Sequence, residues 1–196
     1  MARGRRPEDW DRDLEAARPA ERALAEILAA DPRLGGLRDQ TRSFDRLDFS
    51  FIYGGGRVEV DLKEKIRPSS AGLAALWPEV ARDDLFVLDE TVYRRIVWQG
   101  GGGYLVVHDH PVGRWVVFGP WELTLGPRLR YTRWNKLTAT FSKGKVLIDL
   151  RTASHSSPQF SLDDLLSAVE QSRARLAQVE PVDIAGQSLP EVGSQG

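Results

Sequence analysis

The sequence predicts an α/β fold: a mixed β-sheet flanked by helices, with an additional β-rich C-terminal part and a final helix. Three observations predict it. RLDFSFIYGGGRVEVDLKEK, residues 46–65, alternates apolar and polar residues on both sides of a glycine run, the pattern of a half-buried hairpin. PAERALAEILAADP (19–32) and SLDDLLSAVEQSRARL (161–176) carry apolar residues at helical spacing. YLVVHD and RWVVFG are two short apolar runs around a turn containing Pro111 and Gly113.

Each element follows from its residues. Residues 1–18 form a charge-rich extension with Trp10 and Leu14 at helical spacing. The first amphipathic helix starts with Pro19 in its first turn and ends before Pro32; Leu24, Ile27 and Leu28 form its apolar stripe. Glu21 falls beside Leu24 and Leu28, with Glu26 on the opposite side. In the hairpin, Leu47, Phe49, Phe51 and Tyr53 point one way and Asp48, Ser50 and Ile52 the other; the second strand buries Val58, Val60 and Leu62. A short helix within 66–87 ends at Pro78, and Asp89 caps a helix over 89–99 with Val92, Tyr93, Ile96 and Val97 inward. Residues 121–151 are strand-rich, with KLTATF and KVLIDL joined by SKG. Ser161 caps the last helix, whose inner face holds Leu162, Leu165, Leu166, Val169 and Leu176. The tail after Gln178 is rich in Pro, Gly and Ser and is expected to be disordered. The domain plan is therefore an extension (1–18), a core (19–119), a β-rich basic region with the last helix packed on the same domain (120–178), and a tail (179–196).

Composition excludes several classes. The 196 residues are 41% hydrophobic and 28% charged, with a net charge of −1, as in ordinary soluble domains. There is no cysteine, which removes disulfides, thiol nucleophiles and thiolate metal sites. No apolar run is long enough to span a bilayer, and MARGRRPEDWDRD has no apolar stretch behind its basic start. The expected location is cytoplasmic, with no membrane partner.

The chemistry-bearing residues sit in the hairpin. Asp48 and Asp61 occupy the polar sides of adjacent strands, so both can meet at one sheet edge, and Lys63 shares the face of Asp61. Two converging carboxylates suit a hard divalent cation, Mg2+ or Mn2+. A lysine beside them can orient a metal-activated water and offset charge developing at phosphorus. Glu59 is a further acid on that strand face, and Lys65, the last cation, is expected to be solvated.

Asp48 followed thirteen residues later by Asp61-Leu62-Lys63 resembles the PD-(D/E)xK nuclease superfamily. The resemblance covers roughly residues 19–119 and implies a restriction-endonuclease-like core. It implies a divalent-metal-dependent endonuclease that hydrolyses phosphodiester bonds in DNA. By position, Asp48, Asp61 and Lys63 take the catalytic roles, and Glu21 supplies the acid that many members place on the first helix. The metal would be held by Asp48, Asp61, the Leu62 carbonyl and Glu21, with Glu59 as a further metal acid. Many members cut as dimers, which makes a homodimer the expectation by analogy. No proline precedes Asp48, where RLD stands, and Asp45 competes for its role. The alternative is a non-catalytic nucleic-acid or protein binding module on a nuclease-like fold.

Two other stretches carry polar chemistry. Residues 121–151 hold seven cations against Glu122 and Asp149, interleaved with Trp121, Tyr131, Trp134 and Phe141. Arg128, Arg130, Arg133, Trp134, Lys136, Lys143 and Lys145 are the candidate nucleic-acid contacts: cations for phosphates and an aromatic for bases. A β-rich subdomain with core aromatics and solvated arginines explains the stretch equally well. His108 and His110 flank Asp109 at a strand end; with no third ligand of clear spacing, they read as a polar turn. His155 has no visible partner.

Overall fold

A computed structural model describes residues 7–43, 45–98, 103–132, 134–135, 140–141 and 144–179, with side chains from residue 18 onward outside 133–143. The protein is α/β, with a mixed sheet between helices. Its elements are α1 (Pro7–Ala30), β1 (Gly35–Asp39), β2 (Phe49–Tyr53), β3 (Gly56–Lys65), α2 (Ala71–Ala74), β4 (Leu85–Asp89), α3 (Glu90–Trp98), β5 (Gly103–Asp109) and β6 (Arg114–Phe118). There follow α4 (Pro120–Leu125), β7 (Arg128–Tyr131), β8 (Trp134–Asn135), β9 (Thr140–Phe141), β10 (Lys145–Asp149), β11 (His155–Ser157) and α5 (Leu162–Ala177).

The main sheet has the order β1-β2-β3-β5-β6-β11. Only β3 and β5 run parallel, and the crossover between them carries α2, β4 and α3. A second sheet, β4-β10-β7, is antiparallel. The stretches 19–119 and 120–178 share both sheets, through β6–β11 and β4–β10. Among the described residues no helix is long and apolar enough to cross a membrane.

Each face of the main sheet has its own core. Phe49, Phe51, Val58, Val60, Leu62, Tyr104 and Val106 pack with Leu24 and Leu28 of α1 and with Leu165 and Val169 of α5. On the other face Leu105, Val107, Val116 and Phe118 meet Tyr93 and Ile96 of α3 and Phe86, Leu88, Val146 and Ile148 of the second sheet. Leu47 joins this second core and not the one that holds Phe49, because it lies before β2 begins.

The hairpin forms as its residues dictate. Gly54 and Gly55 have φ of 52° and 76°, and Tyr53 pairs with Gly56 across them. Two consecutive left-handed residues make the tight turn that matches strand twist, at little steric cost for glycine. Arg173 of α5 donates to the Tyr53 carbonyl at 2.8 Å and fixes that end. At the start of β5, a Cβ on Gly103 would lie 2.3 Å from the Ile96 carbonyl oxygen, so glycine permits α3 to sit against the strand.

Several expectations are corrected. The first helix begins at Pro7, and Pro19 lies inside it. The flanking Ala, Glu, Leu and Arg residues favour helix strongly enough to continue it past the hydrogen bond that proline removes. Ile27 and Leu176 are exposed, while Ser172 takes the inward place on α5. Residues 85–89 form β4, and 120–125 form α4 within the region expected to be strands. KVLIDL forms β10 between β4 and β7, and the described end of KLTATF, β9, pairs with β8. Lys65 is not solvated. It is 5% exposed, because the polar face of β3 lies under the second core.

Candidate functional site

Strand β3 places Glu59, Asp61, Lys63 and Lys65 on one face, since successive side chains alternate. The parallel register sets Asp61 beside Leu105 and Lys63 beside Val107, so these charges enter an apolar layer. Phe49 pairs with Val60 across the hairpin, and Asp48, just before β2, reaches across to β3 with its carboxylate. The two predicted acids therefore meet, as the hairpin pattern required.

Three oxygens converge on one cation. Lys63 Nζ lies 2.7 Å from Asp61 Oδ2 and 3.6 Å from Asp48 Oδ2, and it donates to the Leu62 carbonyl at 3.0 Å. Asp48 Oδ2 also accepts from the Leu62 backbone N–H at 2.8 Å, which locks its carboxylate to β3. Asp61 Oδ2 is buried and makes the ion pair off the hydrogen-bond line, so it keeps unmet accepting capacity. Burial pushes the Asp61 carboxyl up to about 6; Lys63 opposes the rise and Asp48 adds to it. Burial also works against the Lys63 ammonium, but Asp61 and then Asp48 outweigh it, and its pKa is raised.

Two further elements reach this point. Burial, then Asp48, raises the pKa of Glu21, which places α1 in electrostatic contact with the acid pair. Arg95 of α3 holds Asp61 down to a small extent and donates to the Arg46 carbonyl at 3.0 Å, just before Asp48. Glu59 is instead engaged by Arg57, two residues back on the same face. Asp45 accepts from Ser43 and is exposed. Asp48, and not Asp45, is the acid that lies within ion-pair reach of Lys63.

No protein-family model, no curated protein and no solved structure matches this chain. Two carboxylates and a backbone carbonyl are hard oxygen donors, and the buried Asp61 Oδ2 is met by the Lys63 ammonium. The set fits a divalent ion of the magnesium class, taking the point where the ammonium now sits. Lys63 has the reach to move aside, being one-third exposed on a flexible stem.

The surroundings are cationic. A groove of about 590 Å3 is lined by Arg18, Arg22 and Arg42 together with Asp39 and Glu21, and Glu21 couples it electrostatically to Asp48. On the α3 side, Trp98 is 75% exposed and Arg94 lies 5.9 Å from its ring centre. Arg128 and Arg130, both predicted contacts, lie 5.8 and 5.7 Å from the Tyr93 ring beside them. Lys145 is paired with Asp89. Arg133, Lys136, Lys143 and the Trp134 side chain lie outside the described residues. Trp121 and Tyr131 are half-buried: Trp121 donates to the Ser172 carbonyl and Tyr131 packs against the cluster of Leu85 and Leu147. The sequence did signal the outward row of α3: with Tyr93 and Ile96 inward, Arg94 and Trp98 fall together one turn apart.

Proposed function

We propose that the protein is a divalent-metal-dependent endonuclease of PD-(D/E)xK type with a restriction-endonuclease-like core, hydrolysing phosphodiester bonds in DNA in the cytoplasm. The observation that carries this reading is the convergence of Asp48, Asp61 and the Leu62 carbonyl on one cation-sized point. The sheet order adds support: the acids lie on an antiparallel hairpin whose second strand continues by crossover into a parallel neighbour.

Asp48, Asp61 and the Leu62 carbonyl would hold Mg2+ or Mn2+, with Glu21 as the outer acid. The ion would supply positive charge at the phosphoryl oxygens and a more acidic water. Lys63 would leave the carboxylates, stay within reach of the same point, and hold the attacking water by hydrogen bond. Its charge would offset the negative charge that gathers on phosphorus. With Lys63 moved aside, the positive charge of the bound ion would keep Asp61 ionised, and Arg95 would add a small attraction in the same direction. The arginine-lined groove and the Arg94–Trp98 row offer phosphate and base contacts on either side.

Plasmid, branched and single-stranded DNA incubated with Mg2+ test this directly, with Asp61→Asn as control. Cleavage by the wild type alone supports it. An inert wild type that still binds DNA, with binding independent of metal, returns the reading to a non-catalytic binding module.

A further inference from the structure

We propose that Glu64, His108 and His110 form a second metal site, for a divalent transition ion of the zinc class. It does not rest on the nuclease reading. Glu64 follows Lys63 on β3 and so points to the opposite face of the sheet.

The fold brings the three ligands together from two strands. Glu64 stands directly beside His108 in the parallel register. The chain then turns, and the His110 backbone N–H donates to the Lys65 carbonyl at 3.0 Å, setting His110 next to the same acid. His110 Nε2 lies 2.9 Å and His108 Nδ1 3.9 Å from Glu64 Oε1. All three ligand atoms lie within 4.8 Å of one another.

His108 is held in place. Its ring stacks on Trp115 with centroids 4.0 Å apart and planes 8° from parallel, and Phe160 meets Trp115 edge-on. Its Nδ1 is buried and makes no hydrogen bond. A buried ring nitrogen without a hydrogen-bond partner, aimed at a carboxylate beside a second imidazole, has the requirements of a metal ligand in place. In a tetrahedral zinc shell the ligand atoms stand roughly 3.3 Å apart, given metal–nitrogen bonds of about 2.0–2.1 Å. Adjustments on the order of 1 Å close the gaps, and His110 in its exposed turn can supply them. Two imidazoles and one carboxylate select zinc-class ions over magnesium. Three protein ligands leave a fourth position open, so the ion would be exchangeable.

The test uses the full chain, stripped with a chelator and titrated with Zn2+ by calorimetry and with Co2+ by visible absorption. One zinc per chain and a cobalt absorption band are expected. Both should persist in Asp61→Asn, whose site faces the other way. His110→Asn should weaken zinc by more than the roughly 100-fold that loss of a mere supporting contact costs. His110 is surface-exposed, so this variant keeps the fold, which circular dichroism checks. No stoichiometric zinc binding by folded wild type, or undiminished binding by His110→Asn, would reduce the cluster to a histidine–glutamate ion pair and overturn the proposal.

Discussion

Asp48, just before β2, and Asp61 of β3 share one cation: the ammonium of Lys63 lies 3.6 Å from the first and 2.7 Å from the second. One cation serves two acids, and one of those acids is buried. Such a group is held under electrostatic tension, and its properties should change with pH and with each substitution.

Asp61→Asn should stabilise the metal-free protein at neutral pH. The folded carboxyl has a pKa raised to about 6, above its unfolded value. Below about pH 4 both states carry the proton and the variant gains nothing. As pH rises from there through about 6, the folded state must give up a proton it holds more tightly, and that stability is lost. Asn carries no charge, so at pH 7 in EDTA it should be more stable by about 1–3 kcal/mol. Urea denaturation at pH 4 and pH 7 measures this; a variant weaker than wild type at pH 7 contradicts it.

Lys63→Ala should separate binding from chemistry. Removing the ammonium frees the point where the three oxygens converge, so Mn2+ binding by calorimetry should persist or tighten. Single-turnover cleavage should fall about 100- to 10,000-fold, the range for a group that orients or relays a proton. Parallel loss of metal binding would mean that Lys63 only shapes the site.

Lys65→Ala should be among the more destabilising single changes. Its ammonium is buried against Asp109 at 3.2 Å and donates to the Asp83 carbonyl, and Arg114 holds the other Asp109 oxygen at 2.9 Å. Removing one partner of such a pair costs about 3–5 kcal/mol. Chemical denaturation should show this, with Lys65→Met plus Asp109→Leu recovering part of the loss.

Trp98→Ala should leave stability within about 0.5 kcal/mol, since the ring is mostly exposed. Its affinity for labelled single-stranded DNA, read by anisotropy, should fall by about 1–3 kcal/mol if bases stack there. Arg94→Ala should instead flatten the salt dependence of binding.

The hairpin and its acids were legible because everything that positions them is local. Alternation and two left-handed glycines pair β2 with β3, and that hairpin suffices to bring Asp48 to the strand that carries Asp61. Lys65 was misjudged because its partner comes from β5, 44 residues on. The Glu64–His108–His110 group escaped for the same reason: its third ligand is supplied by the β3–β5 register, not by spacing along the chain. The pairing of β10 with β4 and β7 was likewise invisible, since apolar runs do not name their neighbours. Trp98 was within reach, because the inward face of α3 was placed correctly and the outward one follows from it.

The crossover between β3 and β5 has a consequence for the order of folding. Asp48 and Asp61 are joined by a two-residue turn, so their closeness needs only a hairpin, an event of microseconds. The burial that lifts the Asp61 pKa comes from β5 and α3, which close a loop of some forty residues and dock late. A nascent chain thus acquires its carboxylate pair early and in water, where both acids ionise freely. Only the final long-range closure puts that pair under strain, and a divalent ion present during synthesis would be captured before it.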